Sequence, residues 1–239
     1  RDRVYNDPRV WIMQKHLNPS VEQPVDDGRN FEVYLTPEKP ITVDDLKALM
    51  RNHYDMSEHD PYQFGLRGDE PWRPISVFRT YESHIMQVRP WLPQAIGCLI
   101  HLAFGMADLS VYLPFYQGLE AVPQHYGCGT DHCDRRSVYW FRRLQTLVMT
   151  DYAGLAPMVK TAFAKFEADL APRMAAFEAE FVKLHAEDEK AAAKLLNDFN
   201  LRVLAEGEEL CETLLDDCFT KRTTDIQEAV YFRNRKAKD

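Results

Sequence analysis

"ISVFRTYESHIMQVRPWLPQAIGCLIHLAFG", residues 75–105, is the stretch on which the fold turns. It is dense in β-branched and aromatic residues. Residues 75–80 and 84–89 read as two arms of a β-hairpin, with Tyr81, Glu82 and Ser83 at the turn. The run at 96–105 reads as a third strand. It is apolar along most of its length, so it is expected to be covered on both faces. Three short consecutive strands imply an antiparallel meander, the edge or half of a larger sheet.

Upstream, "ITVDDLKALMRNHYD" (41–55) reads as one helix. Thr42 is its N-cap, Asp45 follows three residues on, and Leu46, Leu49 and Met50 form a stripe. Further back, "DRVYNDPRVW" (2–11) alternates polar and apolar residues as in a packed strand or turn. Downstream, the chain changes character near residue 135. Prolines and glycines are frequent before it; Ala, Glu, Lys and Leu dominate after it. Residues 1–134 are therefore expected to form a strand-rich core and 135–239 a helical region packed on it. In the second part, 137–153 reads as a helix with an aromatic face. Another helix opens with Pro157 in its first turn and ends or kinks at Pro172. Met174, Phe177, Phe181 and Leu184, spaced 3, 4 and 3 apart, mark the next. A long helix from 189 to 219 contains Gly207 as a possible break, and the charged 233–239 is a frayed end. These stripes read as helix–helix packing; none resembles a cofactor box, and no cofactor is expected.

With 45% hydrophobic and 12% aromatic residues among 239, the composition is that of an ordinary globular protein. The net charge of −8 argues against a nucleic-acid partner, because phosphate binding needs a basic surface. No apolar run approaches the roughly 20 residues that span a bilayer, so no membrane partner is expected. Five cysteines are an odd count for a disulfide framework; most are expected to be free thiols in a reducing, cytoplasmic compartment.

Two clusters invite chemistry. "HYGCGTDHC" gathers His125, Cys128, His132 and Cys133, residue types that suit zinc. The adjacent His132 and Cys133 would strain one tetrahedral site, and a local disulfide or an ordinary loop are the other readings; no metal is assigned. "RTYESH" (79–84) pairs Ser83 with His84, but strand neighbours point to opposite faces, so they cannot readily form a dyad. A substrate-contacting turn fits better, with Glu82 able to hold a cationic group such as a free amino terminus. A solvated turn is the alternative. There is no phosphate loop, dinucleotide fingerprint, H-E-x-x-H or G-x-S-x-G.

The ordered set "DRVYNDPRVWIMQKHLNPS", "ITVDDLKALMRNHYD", "RPISVFRTYESHIMQVRPWLP", "AIGCLIHLAFGMADLSVYLPFYQGL" and "SVYWFRRL" resembles the peptidase C69 dipeptidases. The likeness is strong over residues 2–119 and looser in the helical tail. That family is similar to bile salt hydrolases and penicillin V acylases. The resemblance implies an α+β chain forming part of the N-terminal nucleophile (Ntn) hydrolase fold, a four-layer αββα sandwich. It also implies an N-terminal cysteine nucleophile whose own α-amine is the general base, with an oxyanion hole stabilising the tetrahedral intermediate. Here the chain starts with Arg1, and none of its cysteines occupies that place. The chain is thus expected to be the C-terminal portion of a longer enzyme, partnered by its missing N-terminal half and inactive alone.

The family's relatives carry an arginine, in an "S-P-S-R" stretch, that reaches the nucleophilic cysteine. "NDPRVW" occupies that place, so the resemblance assigns Arg9 the catalytic position; a structural Arg capping a turn is the competing reading. Asn6 is a weaker substrate-binding candidate. Thr80, Glu82 and Ser83 are substrate-side candidates from their place on the hairpin. The expected activity is hydrolysis of dipeptides, by a homo-oligomer with subunit contacts around Trp140 and Phe141. The alternatives are an amidase of bile acid or penicillin type, and a non-catalytic helical interaction module.

Overall fold

The computed structural model describes residues 4–25, 31–55, 57–62, 72–127, 133 and 141–236, with side chains to residue 231. The first helix, α1 (Asp7–Leu17), takes the segment expected to be strand or turn. Pro8 near its start supplies a preset φ and needs no hydrogen-bond partner, which favours helix entry over extension. Helix α2 (Val43–Arg51) forms with the expected capping box: Thr42 Oγ1 accepts from the Asp45 amide, and the Asp45 carboxylate accepts from the Thr42 amide. It ends at Arg51, short of residue 55, because Asn52 is already extended (φ −65°, ψ 131°), and Tyr54 at φ 64° then turns the chain further away.

A three-stranded antiparallel meander follows, β1 (Glu82–Val88), β2 (Cys98–Phe104) and β3 (Leu113–Tyr116), in the spatial order β1-β2-β3, with the one-turn helix α3 (Gln94–Gly97) between β1 and β2. The expected first arm, residues 75–80, is not a strand. Its backbone groups are taken elsewhere: the Ser76 amide donates to Asn52 O, Tyr62 bridges Ser76 O and the Phe78 amide, and Arg142 donates to Phe78 O and Thr80 O. No ladder could form from groups so committed. Glu82 and Ser83 accordingly stand in β1, not at a hairpin tip, and the register pairs Glu82 with Phe104 and Val88 with Cys98.

The two faces of this sheet differ. Ile85 and Ala103 pack with Tyr112 against Val43, Leu46 and Met50 of α2. On the other face β1 shows Glu82, His84, Met86 and Val88 to solvent, with Met86 64% and Val88 70% exposed. Beyond β3, the side chain of Asn200 acts as a surrogate strand: the Tyr116 amide donates to its Oδ1 (3.1 Å) and its Nδ2 donates to Pro114 O (2.8 Å).

The helices cover the rest. Residues 137–140 lie outside the described residues; α4 runs Phe141–Val148 and buries Phe141, Leu144, Gln145 and Val148. Phe141 stacks on Phe104 and is buried, so it is not a subunit contact; Trp140 is outside the described residues. Helix α5 spans Tyr152–Glu187, so Pro157 sits inside it rather than in its first turn, and Pro172 neither ends nor breaks it. An internal proline costs about 3 kcal/mol. Burial of Val159, Phe163, Leu170, Phe177 and Phe181, at about 1.5–3 kcal/mol each, outweighs that. Helix α6 (Glu189–Lys236) likewise passes through Gly207. A Cβ there would lie 2.6 Å from Leu113 Cδ2, so the glycine permits close approach to β3 and marks no break. One core joins residues from both halves of the chain, Ile96, Leu99 and Leu113 of the strand region with Leu155, Phe181 and Leu204 of the helices. Cys98, Cys133, Cys211 and Cys218 are free thiols, as expected for most of the five.

Gly105, just after β2, has φ +79°, and a Cβ on it would lie 2.3 Å from Gln145 Oε1. Buried Gln145 holds this bend by donating to Phe104 O and accepting from the Met106 amide. Gly105→Ala adds left-handed strain and displaces Gln145. An expected loss of about 3 kcal/mol is measurable as a lower urea midpoint.

Candidate functional site

At the start of β1 lies a cleft of about 330 Å³ lined by Met50, Ile75, Ser76, Thr80, Glu82, Ser83, His84 and Ala107. It brings together Thr80, Glu82 and Ser83 as a group. Alternation along the strand separates their roles. Glu82 and His84 share one face, with Glu82 Oε2 2.9 Å from His84 Nδ1. Ser83 faces the other way, its Oγ 2.8 Å from Tyr112 OH. The absence of a Ser83–His84 dyad is therefore as the strand geometry requires.

Behind the cleft is a buried network that the sequence reading missed. The left-handed turn at Tyr54 is held by its amide donating to Asn52 Oδ1 and its hydroxyl donating to Arg73 O. That turn directs His53 inward. His53 Nδ1 lies 2.9 Å from Asp60 Oδ1; its Nε2 lies 3.1 Å from Asp55 Oδ1 and 2.9 Å from Tyr152 OH. Tyr152 donates to Asp108, whose other oxygen is 2.6 Å from Lys160 Nζ. The Asp108 amide donates to Ser76 Oγ in the cleft wall, tying network to cleft.

Burial opposes a charge on His53, but the carboxylates of Asp108 and Asp55 outweigh it and push its pKa up to about 10. Burial likewise raises the carboxyls of Asp55 and Asp108, yet His53 and Lys160 hold both below the usual carboxylate range. His53, Asp55 and Asp108 place ligand-type atoms within 4.8 Å of one another. The cations already serving those carboxylates are the imidazolium and the Lys160 ammonium, so the group reads as an ion-pair network. A protonated imidazole has no lone pair to give a metal.

Arg9 and Asn6 lie elsewhere. Arg9 Nε donates to Tyr5 O (2.6 Å) and its Nη2 to Asn6 Oδ1 (2.7 Å), all at the start of α1. Neither residue lines the cleft. The Arg73 amide donates to Val4 O, and Trp11 meets Trp72 edge-on, which fixes this helix against the segment leading to the cleft. Of the His/Cys cluster, Cys128 and His132 lie outside the described residues; His125 Nε2 is 2.6 Å from Glu208 Oε1 and Cys133 is exposed.

These features define an α+β protein that presents a polar cleft at the end of an edge strand. Residues 1–165 match the model of Peptidase family C69, and the chain belongs to that family. Among curated proteins it is similar to the probable dipeptidase of Salmonella dublin, 53% identical over 130 residues, which is 54% of this chain and 29% of the relative. It is 35% identical over 150 residues to probable dipeptidase A of Streptococcus pyogenes serotype M3 (60% of this chain, 31% of the relative). The dipeptidase of Bifidobacterium longum is 32% identical over 156 residues, 60% of this chain and 28% of that protein. The chain thus spans about a third of the length of these relatives. Among the described residues no helix is long and apolar enough to cross a membrane.

Proposed function

We propose that the full-length protein hydrolyses dipeptides and that the cleft at the start of β1 receives the substrate's amino end. The observation that carries this reading is that the acidic residue Glu82 lines that cleft together with Thr80 and Ser83. An acid is the group a free ammonium needs, and hydroxyls can take the remaining donors. The names of the relatives, dipeptidases, point the same way.

Within this reading the nucleophile is an N-terminal cysteine supplied by the roughly two thirds of the family's length that these residues do not span. Arg9, in the family's arginine position, favours its thiolate, and Asn6 beside it contacts substrate. The fold is part of the αββα sandwich: helices α2 and α5 cover one face of the meander, and on the other, where α4 and α6 cover Phe104 and Leu113, exposed Met86 and Val88 of β1 leave an apolar strip for a second sheet. Free thiols fit a reducing cytoplasm. A homo-oligomer draws support from exposed Phe219, Ile226 and Val230 on α6. A helical interaction module has lost its main support, since the apolar stripes of α5 and α6 are largely spent on the core.

The test is Glu82→Gln in the full-length protein. Loss of one charge-assisted contact to the ammonium, about 1.5–3 kcal/mol, is expected to raise KM for dipeptides roughly 10- to 100-fold with kcat little changed. Hydrolysis of an N-acylated analogue should not respond. Unchanged dipeptide kinetics would remove the role of Glu82, and a preference for the N-acylated substrate would favour an amidase.

A further inference from the structure

A second and larger cavity, of about 660 Å³, lies on the helix-covered face of the sheet, between α2, α5 and the strands β1 and β2. One wall is a run of alanines on α5, Ala164, Ala168, Ala171 and Ala175, with Leu170 and Met174 beside them. Spacings of 4, 3 and 4 put these four methyls on one side of the helix, a strip about 16 Å long. Leu99 of β2 and Val43 of α2 complete the apolar lining. A volume of this size is that of a small-molecule site.

The polar end does not balance. Lys47 and Arg51, both largely buried, share the single carboxylate of Glu167. Asp44, the other acid near Lys47, is 91% exposed and 3.7 Å away, so its charge is largely met by water. Arg89 is matched one to one, in a two-pronged pair with Glu178 at 2.8 Å. The lining therefore carries one buried positive charge in excess, at the Lys47–Arg51 end. Two further groups in the lining are unsatisfied. His101, 8% exposed, keeps Nε2 buried without a hydrogen-bond partner, and Arg89, 9% exposed, does the same with Nε. Burial, with the charges of Lys47 and Arg89, holds the His101 pKa down to about 4, so at neutral pH its imidazole adds no charge but can donate one N–H. Unpaired buried donors and an uncompensated charge are costly. They persist where something else completes them.

We propose that this cavity binds a small amphipathic carboxylate, its head at Lys47, Arg51 and His101 and its aliphatic tail along the alanine strip. The carboxylate neutralises the excess charge, and its oxygens accept from the Lys47 ammonium and the His101 N–H; Arg51, whose Nε and Nη2 also donate to Ala107 O and Ser110 O, contributes charge rather than free donors. An amine would meet the same two cations and be repelled. A long-chain alcohol would fit the strip but leave the charge uncompensated. The site is distinct from the cleft at Glu82, and its existence does not depend on the hydrolytic reading.

Calorimetric titration of the purified protein with sodium octanoate, octylamine and octanol tests this directly. Octanoate is expected to bind saturably with one-to-one stoichiometry, octylamine not at all, and octanol at least tenfold more weakly. Lys47→Gln should weaken octanoate binding at least tenfold. Ala168 is exposed to the cavity, so Ala168→Leu fills the strip without entering the core; it should abolish binding while the thermal unfolding profile stays that of the parent. Absence of saturable octanoate binding, equal binding of octylamine, or unchanged affinity in Ala168→Leu would each overturn the assignment.

Discussion

Replacement of His53 by leucine is expected to cost about 3–5 kcal/mol, the range for breaking a buried ion pair by removing one partner. The imidazolium lies between Asp60 on one nitrogen and Asp55 and Tyr152 on the other, and Asp108 is 3.5 Å away. Without it, Lys160 alone remains to pair Asp55 and Asp108, and buried Asp60 loses the imidazolium on its Oδ1. Urea unfolding at neutral pH measures the loss, and a decrease under about 1 kcal/mol would contradict the ion-pair account. The pH dependence has a definite sign. His53 titrates near 6.5 when unfolded and about 10 when folded, so its contribution is whole below pH 6.5 and fades as pH rises toward 10. Asp55 and Asp108 are depressed from 3.8, so their contribution is whole above that pH and is lost on further acidification. The parent protein should be most stable between those limits, and His53→Leu should lose the alkaline decline and blunt the acid one, because His53 is the first of the groups that hold Asp55 and Asp108 down.

Asn200→Leu should be nearly as severe. Leucine has a similar shape, so little packing is lost, but the Tyr116 amide and the Pro114 carbonyl are both left buried without partners. At about 1–3 kcal/mol for each of the two orphaned groups, the expected cost is about 2–6 kcal/mol. Hydrogen exchange at the Tyr116 amide should accelerate specifically, beyond the change in global stability. Parent-like exchange at that amide would show that α6 does not seal the strand through this side chain.

Much of this architecture is legible in the sequence. The capping box at Thr42 and Asp45 and the apolar run of β2 are local signals, and both elements form inside the expected segments, with the helix ending four residues early. Elsewhere tertiary contacts overrode the local signal. Residues 75–80 have the composition of a strand, but Asn52, Tyr62 and Arg142 claim their backbone groups, two of them distant in the chain. Strand β3 escaped notice because Pro114 lacks an amide proton; an edge position tolerates that, and only the whole sheet reveals the edge. The prolines of α5 misled for the converse reason, since burial on either side of Pro172 exceeds the cost of one lost bond.

The site divides in the same way. Thr80, Glu82 and Ser83 are neighbours in sequence, so a strand-end reading was enough to group them. His53, Asp108 and Lys160 are joined only by folding. The one local hint, Asn52 ending a helical stripe just before His53, gave no reason to look further.

The cap supplied by Asn200 also gives the sheet a direction of growth. One border, at β3, is closed by a side chain; the other, at β1, has no sheet neighbour among the described residues. A further strand, whether from this protein or another molecule, can be templated only along β1, next to Glu82 and His84. Three residues of that same border, Glu82, Ser83 and His84, line the cleft, so the open border of the sheet and one wall of the cleft are a single stretch of chain.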